Sequence, residues 1–167
     1  PAALFHDAIT LFKNSRDFKE SILITCAVDD RAAIKGDPHR LRQVLWNLLI
    51  NSCQAMPEGG ELNISARALA NGVELEFSDS GPGIPESQWN NVFEPFFSTK
   101  EVGKGSGMGL STVHGIVHEH DGHVLVETAG ATKFALGIDD RARLYIDDAE
   151  TPLIDFLTPN ALGLSPE

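Results

Sequence analysis

An α/β fold is predicted for this chain by three features. Stretches in which every second residue is apolar alternate with stretches of apolar residues at helical spacing. Two of the alternating stretches flank Asn71-Gly72, a strong hairpin signal. At 167 residues and 42% hydrophobic content, the chain has the size and composition of one globular domain able to bury a real core.

Taken in order, Leu4, Phe5, Ala8, Ile9 and Phe12 predict an amphipathic helix over 4–13. His6, on that helix, reads as a solvated surface histidine. Ile22, Ile24, Cys26 and Val28 alternate as in a half-buried strand. Asp37-Pro38 starts a second helix, with a carboxylate N-cap followed by proline in the first turn. That helix should run to about Met56, where Pro57 and Gly59-Gly60 end it. Leu62, Ile64 and Ala66, then Val73, Leu75 and Phe77, form the hairpin. Residues 86–93 suggest a short helix. Gly109 opens another helix reaching about His120, and Val124, Val126 and Thr128, then Phe134, Leu136 and Ile138, make the last strands. Leu144, Tyr145 and Ile146 read as one more strand in an acidic tail, 139–167, that carries no evident chemistry.

Composition narrows function. A net charge of −11 argues against a nucleic-acid platform, which needs clustered Lys and Arg. No apolar run approaches membrane-spanning length, and no signal peptide is evident, so no membrane contact is expected. The chain does not begin with Met and is expected to be part of a longer protein. Cys26 and Cys53 both fall in apolar patterns and are expected to be buried, reduced thiols of a cytoplasmic protein.

The candidate site gathers around Asp79 to Leu110. On the second helix, at about 100° per residue, Arg40, Gln43, Asn47, Asn51 and Gln54 share one polar stripe. Amides are poor choices for a merely solvated face, so the stripe is expected to face a ligand. Asp79 ends a strand and leads into Ser80-Gly81-Pro82-Gly83-Ile84, where glycines permit positive φ and close backbone approach. The stretch from Pro95 to Met108 lacks periodicity and suggests a lid. Gly103, Gly105, Gly107 and Gly109 recur at every second position and suggest an anion-binding nest before a helix N-terminus. Lys100 and Lys104 suit a polyphosphate as point charges. Together these features suggest a nucleotide site, read here as binding ATP with Mg²⁺. His114 and His118 have a zinc-like i, i+4 spacing, but no acidic or Cys partner completes a ligand set, so no metal is assigned there.

Four of these motifs, in this order, resemble the ATP-binding catalytic domain of sensor histidine kinases, within the superfamily shared with gyrase, the ninety-kilodalton heat-shock chaperone and MutL. Asp37 to Ser52 looks like the N box, Asp79 to Ile84 the G1 box, Phe93 to Phe97 the F box and Gly105 to Leu110 the G2 box. The wording around Phe96-Phe97-Ser98-Thr99-Lys100 is closest to the nitrogen-regulatory branch. The resemblance covers about residues 20–138 and makes 1–138 the catalytic domain, a two-layer α/β sandwich with a mixed sheet backed by helices.

The resemblance also implies roles. Asn51 would ligate Mg²⁺, with Asn47 supporting the metal-phosphate cluster. Asp79 would accept from the adenine amine. Ala55, Gly81, Gly83 and Ile84 would line the base, with Phe134 nearby, and Thr132 would hold it through water. Lys100 would serve catalysis, and Lys104, Gly105, Ser106, Gly107, Met108, Gly109 and Leu110 would contact phosphates. The phosphate would pass to a histidine on a separate dimerisation and phosphoacceptor helical domain of the same protein, and then to a response regulator. No acceptor-like segment occurs in this chain. Gln54 stands where the family often has a basic residue, and Ala129-Gly130-Ala131-Thr132 is less glycine-rich than the family's turn. The rival readings are an ATP-gated ATPase module, a serine-directed anti-sigma-type kinase and a degenerate nucleotide-binding regulator.

Overall fold

The structure is a computed structural model that describes residues 2–33, 36–69, 72–89, 91–100, 105–120, 122–128 and 132–138. Its elements follow the order α1 (Ala2–Lys13), β1 (Ile22–Val28), α2 (Pro38–Ala55), β2 (Gly60–Leu69), β3 (Gly72–Asp79), a single 3-10 turn (Glu86–Gln88), α3 (Gly109–Glu119), β4 (Gly122–Thr128) and β5 (Thr132–Ile138). The expected strand at Leu144 to Ile146 and the rest of the tail lie outside the described residues.

The strands form a mixed five-stranded sheet in the order β1-β2-β3-β5-β4. β1 runs parallel to β2, and the remaining pairs are antiparallel. Helices back one face. Phe5 and Phe12 of α1, Val44, Leu48 and Leu49 of α2, and Val113 and Ile116 of α3 join Leu62, Ile64, Ala66, Val73, Leu75 and Phe77 in one buried cluster. On β3 the intervening Glu74, Glu76 and Ser78 turn to the other face, as a period of two demands. Burying the side chains of this cluster is the main stabilisation, at about 1.5–3 kcal/mol for each large one.

The N-cap of α2 forms as expected, with Asp37 accepting from the His39 N–H at 2.8 Å. α3 lies antiparallel to α2. Its far end is tied to the α2 start by His120, whose Nε2 accepts from the Asp37 N–H at 3.2 Å. The ring's proton therefore sits on Nδ1, which donates to the Ile116 carbonyl at 2.7 Å. This pairing joins the end of α3 to the start of α2, while the start of α3 lies against Asn47 and Asn51.

Two expectations need correction. Cys26 is exposed rather than buried, whereas Cys53 is buried and both thiols are free. β1 is an edge strand, and the helical layer covers its Ile22 end but not its middle. Among the described residues of 86–93, Glu86–Gln88 form a 3-10 turn and no α-helix. Trp89 explains the arrest: its Nε1–H donates to the Ile84 carbonyl at 2.8 Å and pins the segment back onto the preceding loop.

Candidate functional site

Asp79 is the last residue of β3, on the inward side shared with Leu75 and Phe77, and is only 3% exposed. Its Oδ1 accepts from the Gly81 N–H at 3.0 Å. Gly81 in turn is pressed against the end of α2. A Cβ at that position would stand 2.8 Å from Asp79 Oδ1 and 3.0 Å from the Ala55 Cβ, so only glycine fits. Burial pushes the Asp79 carboxyl above the usual carboxylate range, while the Gly81 N–H and the adjacent Ser52 hydroxyl pull it part of the way back. The Ser52 Oγ is itself buried and, among the described residues, makes no hydrogen bond of good geometry. The neighbouring Cys53 thiol is pushed up to about 11, chiefly by burial, with the Asp79 charge adding to it. Beyond Gly81, Gly83 takes φ 73°, which turns the chain so that Ile84 packs half-buried against the core.

Asn47 and Asn51 occupy the same side of α2, half-buried, about two turns and one turn before Ala55 respectively. α3 begins directly against them. A Cβ on Gly109 would lie 3.3 Å from Asn51 Nδ2 and 3.8 Å from Asn47 Oδ1. The Asn51 amide nitrogen is buried and has no hydrogen-bond partner among the described residues. The first turn of α3 is likewise without a side-chain cap. Uncapped amides and the positive end of the helix dipole therefore face the Asn51 carboxamide, whose buried nitrogen has no partner among the described residues.

Two loops roof this region. The Phe96 N–H donates to the Gly107 carbonyl at 2.9 Å, and both residues have positive φ, 68° and 64°. Gly107 has no room for a side chain, since a Cβ would come within 2.4 Å of the Phe96 carbonyl carbon. Of the expected nest, Gly107 alone among the described lid glycines has the left-handed turn; Gly105 and Gly109 serve by close approach instead. Ser106 Oγ accepts from the Met108 N–H at 3.3 Å. Phe93 lies 5.3 Å from the His114 ring and joins the aromatic loop to α3. Leu110 packs against the core. Lys104 and Gly103 lie outside the described residues. Thr132 is placed only by its backbone, which pairs across the strands with Asp79.

The structure thus brings Asn47, Asn51, Ala55, Asp79, Gly81 and Gly109 together along one side of α2. A carboxamide oxygen is a hard donor of the type Mg²⁺ prefers, and the unpartnered Asn51 Nδ2 is a buried donor that a phosphate oxygen would satisfy. Glycine-cradled backbone and a helix N-terminus suit phosphate oxygens. The residues present therefore fit ATP with Mg²⁺.

Residues 36–142 match the family described as histidine kinase-, DNA gyrase B- and HSP90-like ATPases. This chain belongs to that family. It is the family's ATP-binding module, and its relatives are sensor histidine kinases. The sensor histidine kinase ZraS of Escherichia coli (strain K12) is 37% identical over 123 residues, an overlap of 74% of this chain and 26% of ZraS. The chain therefore spans about a quarter of that relative's length. The catalytic domain of the histidine kinase ThkA superposes with a TM-score of 0.72 at 31% identity, covering 82% of this chain and 92% of that domain. ThkA in complex with the response regulator protein TrrA gives a TM-score of 0.68 at 29% identity, covering 82% of this chain and 39% of ThkA.

Ser52 and Trp89 escaped the sequence reading. Ser52 follows Asn51 directly, and its contact with Asp79 depends on how far α2 is rotated over β3. The Trp89 indole, a donor carried on a large apolar ring, is a signal that it needs a nearby acceptor.

Proposed function

We propose that this chain is the catalytic domain of a two-component sensor kinase, transferring the γ-phosphoryl group of Mg-ATP to a histidine on a separate helical domain. The observation that carries this reading is the shared side of α2. A buried carboxylate lies at one end, and a carboxamide with a buried, partnerless nitrogen lies beside a helix N-terminus at the other. Asp79 accepts from the exocyclic amine of adenine, a group guanine lacks at that position. Ala55, Gly81, Gly83 and Ile84 give the base a flat apolar wall, and Thr132, whose backbone pairs with that of Asp79, would hold it through water. Asn51 offers its carboxamide oxygen to Mg²⁺, and Asn47 supports the phosphates beside it. Lys100 and the backbone from Gly105 to Leu110 line the path of the phosphate chain, and Lys104, outside the described residues, would add a second cation. Bound Mg-ATP supplies the transferable phosphoryl group and its neutralising metal.

Phosphoryl transfer asks a protein for positioning and charge neutralisation rather than covalent participation. The parts here are of that type. Asn47 and Asn51 are carboxamides that cannot take a proton from water, which favours transfer to a positioned imidazole over hydrolysis. The acceptor is the dimerisation domain of the parent protein, and the phosphate passes onward to a response regulator, the class of partner seen with ThkA. No helix among the described residues is long and apolar enough to cross a membrane. A domain that consumes ATP is placed in the cytoplasm, where ATP is available.

The test adds γ-labelled ATP and Mg²⁺ to this chain with an isolated acceptor-hairpin domain. Label should appear on the hairpin and be lost in mild acid, as phosphohistidine is. Acid-stable label, or label released only as free phosphate, would assign the site to a hydroxyl-directed kinase or an ATPase instead.

A further inference from the structure

Lys100 and Gln54 meet across the mouth of the site. The Lys100 ammonium donates to the Gln54 side-chain oxygen. Gln54 lies three residues beyond Asn51 on the polar stripe of α2, so this contact joins the loop after the aromatic cluster to the helix that bears the metal ligand. The other end of Lys100 is held as well. Its backbone N–H donates to Ser98 Oγ at 3.2 Å. Its stem passes under the lid, where a Cβ on Gly105 would lie 3.1 Å from Lys100 Cδ and 3.1 Å from Ser98 Oγ. The residue as a whole is exposed, yet its ammonium end is crowded enough for desolvation to lower its pKa.

The chemistry of the partner matters. A carboxylate at position 54 would cancel the ammonium charge, and a basic residue would repel it. A neutral amide oxygen holds the ammonium and leaves its charge uncompensated. No ion pair between Lys100 and an acidic group occurs among the described residues. A lysine is a point charge on a flexible stem, and ordering it costs conformational entropy that a standing hydrogen bond reduces beforehand. A nucleotide with its base at Asp79 and its metal at Asn51 runs along α2 beneath this cation.

We infer that Gln54 is a positioning residue that holds the Lys100 ammonium over the cleft as a counter-charge for the nucleotide's polyphosphate, so that α2 provides this charge through the loop lysine. This rests on the nucleotide reading of the site. Both residues are exposed, so substitutions there leave the core untouched.

The test titrates the chain with Mg-ATP and with adenosine, following heat. Lys100→Met should weaken Mg-ATP about tenfold and Gln54→Ala about threefold, with adenosine unchanged in both. In the Lys100→Met background, Gln54→Ala should cost nothing further, because the two residues act as one unit. Gln54→Glu should weaken Mg-ATP more than Gln54→Ala does. The inference is overturned if the Gln54→Ala loss persists in the Lys100→Met background, if adenosine and Mg-ATP weaken together, or if Gln54→Glu matches the unaltered chain. Unaltered chain that binds neither ligand would sink the nucleotide reading and this inference with it. Tight Mg-ATP binding indifferent to every change at Gln54 would sink this inference alone.

Discussion

Replacing Asp79 with asparagine separates the ligand role of this residue from any role in folding. The carboxylate is 3% exposed, with one oxygen engaged by the Gly81 N–H at 3.0 Å. In Asp79→Asn the remaining oxygen can serve Gly81 or the adenine amine, but not both. If Gly81 keeps it, an NH₂ group faces the amine. The loss combines one charge-assisted hydrogen bond, about 2 kcal/mol, with an unpaired donor at a further cost of about 1–2 kcal/mol. Affinity for Mg-ATP should therefore fall on the order of a hundred- to a thousandfold. Stability should move the other way. Burial raises the Asp79 pKa in the folded chain, so its contribution favours folding at low pH and is lost as pH rises through the folded value. At neutral pH the neutral amide removes that penalty, and the melting temperature should be equal or higher. Calorimetry with Mg-ATP and Mg-GTP, paired with thermal melts at pH 7, measures both quantities. A variant that melts well below the unaltered chain yet binds Mg-ATP equally well would show Asp79 to be a structural group, and the assignment would fail.

Asn51→Ala should abolish the Mg²⁺ dependence of ATP binding while leaving adenosine binding intact; a titration with and without Mg²⁺ that still shows metal dependence would contradict the ligand role. Gly109→Ala places a methyl 3.3 Å from Asn51 Nδ2 and should weaken Mg-ATP several-fold with little change in melting temperature, as checked by calorimetry and melts. Burial, and to a lesser degree the nearby His118, lower the His114 pKa, so the stability linked to His114 is present at neutral pH and lost as pH falls through its folded value. Thermal melts from pH 7.5 to pH 5 should show this acid limb, and His114→Gln should flatten it; an unchanged limb would place the acid sensitivity elsewhere.

What was legible in the sequence is what depends on period and local chemistry. α2 ran from its Asp37 cap to the Pro57 stop because capping and proline act within a turn. The β2–β3 pairing followed from Asn71-Gly72 and from alternation on both sides. Cys26 shows the limit. Alternation assigns a side chain to a face of a strand but says nothing about whether another element covers that face, and β1 proved to be an edge strand covered only at its start. The insertion of β5 between β3 and β4, which sets Thr132 opposite Asp79, was equally invisible, since strand order is a property of the assembled sheet.

The site divides along the same line. Asn47, Asn51 and Asp79 could be picked out because each is chemically out of place: amides where a solvated helix would carry charge, and a carboxylate closing an apolar strand. Ser52 and Trp89 are ordinary residues where they stand, and Gln54, although it lies on the amide stripe, shows nothing locally of its partner Lys100. Their roles arise from the rotation of α2 over β3, the fold-back of the loop after Ile84, and the reach of Lys100 across the cleft. The groups proposed to touch the ligand are therefore visible as local exceptions to folding chemistry, whereas the groups that hold them obey that chemistry and become visible only once the elements are packed. His120 belongs to the second kind: it clasps the far ends of α2 and α3, the same pair of helices that meet at Gly109 and Asn51. The proposed metal end thus lies at the opposite end of both helices from this clasp, with the shared apolar cluster of α2 and α3 between them.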